Sequence, residues 1–199
     1  MMTILYRFLT RRYVDRVTHS RRPRPSPERG AAVVEFSIVA SLLMTLAVGT
    51  YEFGMAWNDA QLVTQAARSG ARVAAQLGSD SQTDQRVLEA VEAALGNLEP
   101  GLVKVVVFDA GNADGSMAST CENANHPGRP GQCSVYHLAH ITSFVQGSWD
   151  PAGRADELHN ADYVGVYIEV DRPFLSGFLG PTDLRITDQT VMRVEPQFE

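Results

Sequence analysis

The dominant pattern along the chain is a long apolar run that begins just after residue 30. Phe36 to Tyr51 is a run of sixteen uncharged residues, and Glu35 is the only charged residue between Ala31 and Tyr51. As a helix, the segment from Ala31 to Tyr51 would be roughly 31 Å long at ~1.5 Å per residue, which is enough to cross the core of a bilayer. The pattern therefore predicts a transmembrane helix at about residues 31–51.

Beyond Tyr51 the apolar positions recur at steps of three and four, which is typical of a helix with one buried face. These positions are Phe53, Ala56, Trp57, Ala60, Val63, Ala67, Gly70, Ala71, Ala74 and Leu77, whereas polar Asn58, Asp59, Gln61, Gln65 and Arg68 occupy other positions. We therefore expect one long helix over residues 31–77, whose second half packs one face against a globular domain.

Shorter elements fill residues 78–199. Ser81 and Asp84 resemble a helix start, and Gly96 fits a helix C-terminus, so a second helix is predicted between them. The predicted strands are Leu102–Phe108, Tyr163–Val170 and Leu184–Val194, the last with an irregularity near Asp188; residues 109–132 are predicted as a loop, and residues 135–145 as either helix or strand. The fold class that follows is α+β, with a long N-terminal membrane-spanning helix packed on a small antiparallel-sheet head.

Charge is distributed very unevenly. Residues 1–30 hold eight Arg against Asp15 and Glu28, a net charge of +6. Because the whole chain has a net charge of −6, residues 31–199 carry a net charge of −12. Basic residues before an apolar segment stay on the cytoplasmic side, which places the N-terminus inside and the head outside. An acidic head is a poor nucleic-acid binder, because binding needs phosphate neutralisation. Residues 1–30 are therefore interpreted as a basic leader, and no nucleic-acid partner is expected.

The junction between leader and apolar run carries the sequence Arg29-Gly30-Ala31-Ala32-Val33-Val34-Glu35-Phe36. A carboxylate so near the start of an apolar span is costly and usually has a function. The pattern resembles a prepilin processing site, in which a cut after Gly30 would create a cationic amine on Ala31, one helical turn from Glu35. The alternative is an uncut anchor with Glu35 at the level of the cytoplasmic headgroups.

Three segments together resemble the signatures of the TadE-like family, minor pseudopilins of tight-adherence (Flp-type) pilus systems. They are the junction just described, then Tyr51-Glu52-Phe53-Gly54, then Ala66-Ala67-Arg68-Ser69-Gly70-Ala71-Arg72-Val73-Ala74-Ala75; Val170-Asp171-Arg172-Pro173-Phe174 and residues 190–196 resemble the closing segment. The resemblance implies cleavage after Gly30 by a prepilin peptidase. Ser41 and Ser69 depart from the family pattern, which commonly has a proline and an acidic residue at these places.

Further candidate residues lie outside the junction. Glu52 is expected at the outer membrane–water boundary, and Arg68 and Arg72 on a solvated or domain-docking helix face, with contacts to other pilus subunits as the alternative role. Cys121 and Cys133 fall in the part placed outside, where disulfides form, and a bridge would stabilise the loop by ~2–4 kcal/mol. Two alternatives stay open for these cysteines: a metal site with His126 and His137, whose spacing fits no standard zinc pattern, and free thiols.

The sequence thus predicts a non-enzymatic minor pilin-like subunit of the inner membrane, with other pseudopilins, the pilus membrane platform and a prepilin peptidase as partners. It contains no Gly-x-Ser-x-Gly, His-Glu-x-x-His or glycine-rich phosphate loop, and no cofactor is expected. The alternative function is an uncleaved, membrane-anchored extracytoplasmic binding module. An extracytoplasmic enzyme would need a site assembled from distant residues that the sequence does not reveal.

Overall fold

The computed structural model describes residues 27–111, 113–122, 132–137, 144–146, 149–157, 159–174 and 183–196. The chain divides into two compact units, Met1–Ala47 and Val48–Glu199. Of the predicted leader, only residues 27–30 lie within the described part, and His126 lies outside it.

Helix α1 spans Pro27–Leu77, so it begins four residues before the predicted start at Ala31. Proline suits a first helical turn, because its missing N–H would have no partner there and its φ is already helical. In the first unit, the large apolar side chains of this helix from Val33 to Leu46 are exposed. Among the described residues, Gly30–Leu77 is long and apolar enough to cross a membrane. The prediction of an N-terminal helix that is long and apolar enough to span a membrane is confirmed for the described residues.

The second unit is built around one antiparallel sheet. Its strands are β1 (Leu102–Asp109), β2 (Cys133–His137), β3 (Phe144–Gln146), β4 (Tyr163–Pro173) and β5 (Asp183–Arg193), in the spatial order β3-β2-β1-β4-β5. The segment that the sequence left open between helix and strand therefore contributes β2 and β3. The irregularity predicted near Asp188 is wrong, because the β4–β5 ladder runs without a register shift from Tyr163↔Arg193 to Pro173↔Asp183.

One face of the sheet is covered by α1 and by α2 (Thr83–Leu95). Side chains of β1 and β4 meet a row of small residues on α1 in this core, whose members include Val63, Ala66, Ala67, Ala71, Ala74, Val87, Val91, Val105, Val107, Val164, Val166 and Ile168. Helix α2 ends as predicted, with Gly96 at φ 53° and its N–H donated to the carbonyl of Glu92. At its start the structure differs from the prediction, because Asp80 rather than Ser81 accepts a backbone N–H, that of Gln82.

The opposite face of the sheet carries a smaller core. Val106 and Phe108 from β1 and Val135 from β2 pack there with Cys121 and Cys133. Residues 109–132 were predicted as a loop, but the described part of this segment includes a short helix, α3 (Ser119–Glu122), which carries Cys121. The two cores place the sheet between α1 and α2 on one side and the cysteine-bearing segment on the other.

Candidate functional site

The residues of the predicted processing site all lie on the surface of α1. Gly30, Ala31 and Glu35 are exposed, and the side chain of Phe36 is 72% exposed. Ala31 and Glu35 are four residues apart in a helix and therefore lie on the same face, one turn from each other. The described residues leave this segment open to an external partner.

Polar groups within the apolar part of α1 are satisfied inside the helix. The Ser37 hydroxyl donates to the carbonyl of Val33 at 2.7 Å, and the Thr45 hydroxyl donates to that of Ser41 at 2.9 Å. The Ser41 hydroxyl donates to the carbonyl of Ile38 at 2.8 Å. Hydroxyl groups bonded in this way can enter hydrocarbon without an unsatisfied donor, so the serines and threonine do not argue against a membrane span.

The helix segment around Glu52 contacts the end of β4. Glu52 and Ala56 of the helix line a small recess together with Arg172. The other residues that line this recess are Pro173, Phe174 and Leu184. Arg172 forms an ion pair with Asp59 and approaches the Met55 sulfur at 3.9 Å. Asp59 is only 6% exposed, so its assignment to a position outside the buried stripe of the helix was wrong. A signal was present in the sequence, since Asp59 stands three residues after Ala56 and four before Val63 on the same stripe.

The segment Ala66–Ala75 has two chemically different faces. Ala66, Ala67, Gly70 and Ala71 are buried in the head, whereas Arg68 and Arg72 are exposed. A Cβ placed on Gly70 would lie 2.9 Å from the Cγ2 atom of Val91. The small residues of this segment are thus explained by close packing against α2 and the sheet. The two arginines lie one turn apart on the outer face, and neither pairs with an acidic side chain of the described residues.

Cys121 and Cys133 form a disulfide, as predicted, which joins α3 to the start of β2. Both cysteines are buried beside Phe108, whose ring lies so close to Gly165 that any side chain there would collide with it. Because both sulfurs are consumed in the bond, the Cys/His ligand set weighed from the sequence has no thiolate left to offer a metal ion.

A buried polar network holds the start of α2 to the 149–154 segment. The Arg154 guanidinium donates to an Asp84 carboxylate oxygen at 2.5 Å and lies 4.4 Å from the centre of the Trp149 ring. The Tyr136 hydroxyl donates to the other Asp84 oxygen at 2.7 Å. Burial raises the pKa of Tyr136, and the negative charge of Asp84 raises it further. Nothing in the sequence pattern identified this network, whose members come from three separate segments: α2, β2 and residues 149–154.

The described fold defines a class: a protein with one membrane-span candidate and an α+β head. Residues 30–72 match the family described as TadE-like protein. The match confirms the resemblance over this segment, which contains the junction from Gly30 onward, the apolar run and the first part of the helix face that packs in the head. No curated protein and no solved structure matches the chain.

Proposed function

We propose that this protein is a minor pilin-like structural subunit of a tight-adherence pilus system, made as a precursor and cut after Gly30 by a prepilin peptidase. The observation that carries the proposal is the exposed apolar surface of α1, which starts directly after a processing-type sequence and lies within the match to the TadE-like family. A pilin-like subunit needs such a surface twice, first toward lipid and then toward neighbouring helices. The protein would have its N-terminus in the cytoplasm, cross the inner membrane once and expose its head outside.

Glu35 is the residue on which assembly would depend. In a lipid environment an isolated carboxylate is costly, about 2.5–3.5 kcal/mol for Asp at a helix centre on insertion scales. Cleavage would place a cationic amine on Ala31, one turn away, and the carboxylate could pair with the amine of its own or a neighbouring chain. Pairing between chains favours one relative height of adjacent helices, so it would set the register of assembly.

The outer face of the helix offers a second contact region. Arg68 and Arg72 are exposed, and like charges four residues apart on a helix disfavour each other by about 0.2–0.5 kcal/mol. An acidic surface on another pseudopilin or on the membrane platform would relieve this repulsion. Glu52, at the base of the head, would take part at the boundary between membrane and head. The role is structural, and no catalytic step, cofactor or nucleic acid forms part of it.

The disulfide supports the proposed orientation. Disulfides such as Cys121–Cys133 form and persist in oxidising compartments. For a bacterial inner-membrane protein, that compartment is the one on the outer side of the inner membrane. The basic residues before the span favour the same topology independently.

Mass spectrometry of the protein from its native membrane tests the processing step. The expected polypeptide begins at Ala31 and gains two hydrogens on reduction. If cells that contain the peptidase hold only full-length chains, the pilin assignment is wrong and an uncleaved membrane-anchored binding module remains.

The role of Glu35 is tested by Glu35→Ala, with Glu89→Ala as a matched control that removes an exposed carboxylate from α2. We expect Glu35→Ala to leave membrane insertion intact and to reduce pilus production, because the charge pair that sets the register is lost. Glu89→Ala should leave both unchanged. Pilus production at the wild-type level in Glu35→Ala would contradict the proposed pairing.

A further inference from the structure

An aromatic pair stands on the outer surface of α1 where the helix enters the head. Phe53 and Trp57 are 69% and 62% exposed, and their ring centroids lie 6.4 Å apart. The sequence pattern placed both residues on the face that packs against the head, but the structure shows that they lie on another face. Exposure of two large rings side by side in water is unfavourable, at about 25 cal/mol per Å² of apolar surface. We therefore expect another molecule, either lipid or protein, to cover the two rings.

The apolar character of this helix face ends directly above the pair. Gln61, Gln65 and Arg68 follow Trp57 at helical spacing and are also exposed. Before the pair in the sequence, Tyr51 is 54% exposed, and the large apolar side chains from Val33 to Leu46 are exposed as well. The aromatic pair thus marks the place where the outer face of the helix changes from apolar to polar.

The head begins at the same level on another face of the helix. Met55 and Asp59, which alternate along the helix with Phe53 and Trp57, contact Arg172 at the end of β4. Since the residues facing Arg172 and the aromatic residues point in different directions, the head does not cover the aromatic pair. The end of β4 and the pair occupy the same height along the helix axis.

Distances along the helix agree with a headgroup location. Phe53 and Trp57 lie two and six residues beyond Tyr51, or roughly 3 and 9 Å at ~1.5 Å per residue. A headgroup layer is roughly 5–8 Å thick on each side, because the bilayer is ~40–45 Å thick with a core of ~30 Å. Helical side chains also point back toward the N-terminus, which lowers the Trp57 ring toward the bilayer.

We propose that Phe53 and Trp57 bind the outer headgroup layer of the phospholipid bilayer and hold the base of the head against the membrane surface. Trp has an apolar ring with one N–H donor, the combination that concentrates at membrane–water interfaces. A neighbouring protein helix is the competing occupant, but close helix contacts use small residues, and these two positions carry bulky rings. The inference rests on the membrane anchor of the proposed function and is independent of cleavage.

Tryptophan fluorescence tests the inference, since the chain has two tryptophans and Trp149 is buried. The full chain is reconstituted into phosphatidylcholine vesicles whose lipids carry bromine either near the headgroup or near the chain ends. We expect the bromine near the headgroup to quench Trp57 roughly twofold more strongly than the deep bromine, as for a ring at the interface. The variant Trp57→Phe supplies the control, because its remaining emission comes from Trp149 and should respond to neither lipid.

Three results would overturn the inference, and each identifies another environment. Quenching by aqueous iodide but by neither lipid places Trp57 in water. Protection from all quenchers places it under protein, which dilution of the protein in the vesicles would reverse if the cover is a second copy. Stronger quenching by the deep bromine places the ring in the hydrocarbon core. Flotation of the same vesicles separates these outcomes from failure of the proposed function, because a chain that does not float with lipid lacks the membrane anchor itself.

Discussion

Gly70 provides a sharp test of how α1 packs on the head. A Cβ at this position would lie 2.9 Å from the Cγ2 atom of Val91 and 3.2 Å from the Cγ1 atom of Val166. Both valines are fully buried and have stiff β-branched side chains, so neither can move aside easily. Overpacking of this kind costs about 1–3 kcal/mol, whereas replacing glycine by alanine within a helix gains about 0.8–1.0 kcal/mol. The Gly70→Ala variant should therefore be less stable than the wild type by on the order of 1 kcal/mol.

The control for this prediction lies in the same helix. A Cβ on Gly54 would meet no atom within 4 Å, so Gly54→Ala should leave the free energy of unfolding unchanged or raise it by up to about 1 kcal/mol. The measurement is denaturant unfolding in detergent micelles followed by circular dichroism, with equal denaturant dependence required of all variants. If Gly70→Ala proves as stable as Gly54→Ala, the described packing against Val91 is wrong. The double variant Gly70→Ala/Val91→Ala sharpens the test, because it should lose less stability than the sum of the single changes.

Two further predictions concern the head alone. Changing Cys121 and Cys133 together to alanine should lower the free energy of unfolding by about 3 kcal/mol, since the bridge closes a loop with a sequence separation of 12; reduction of the wild type in denaturant should give the same loss, and an unchanged midpoint would show that the loop is held by other contacts. Arg154→Met should cost about 3–5 kcal/mol, because Asp84 would stay buried without its cation. Adding Asp84→Asn to Arg154→Met should restore part of this loss, and a double variant less stable than Arg154→Met would count against the ion pair.

Local periodicity was sufficient to predict the elements that depend on it. The alternation of apolar residues in β4 and the three- and four-residue steps of α1 predicted both elements, because each records a buried face repeated over many residues. The polar core contacts could not be predicted in this way. Asp59 meets Arg172, and Asp84 meets Arg154, across sequence separations that no local pattern encodes. The stripe could indicate that Asp59 is buried, but the partner of a buried charge is known only when the fold is known.

Asp188 shows how a polar residue in a strand can be misinterpreted. An irregularity was predicted near this residue, yet β5 remains fully paired with β4. Among the described residues no strand pairs with the other side of β5, so Asp188 lies on an edge strand. Its carboxylate accepts the backbone N–H of Gln189 at 2.8 Å. A carboxylate that accepts the N–H of an edge-strand residue removes a donor that another strand could use. Asp188 therefore discourages pairing of β5 with another chain and leaves its pairing with β4 intact.

The extent of the family match has a physical explanation under the proposed function. Residues 30–72 cover the part of the chain whose surface would meet the peptidase, the lipid and neighbouring helices, and the match ends within the segment that packs on the head. Each of those contacts would constrain the residue types of the segment: a cut site for the peptidase, an apolar exterior for lipid and exposed arginines for partners. The residues of the sheet are constrained by their own packing, and many combinations of valine, isoleucine and aromatic residues fill such a core equally well. Gly70 and Ala71 lie within the matched segment and also in the core of the head. The helix that carries the exposed Arg68 and Arg72 packs closely against α2 at these residues. Under the proposed function, the small residues at the end of the matched segment therefore connect a surface that would contact partners to a core formed by this chain alone.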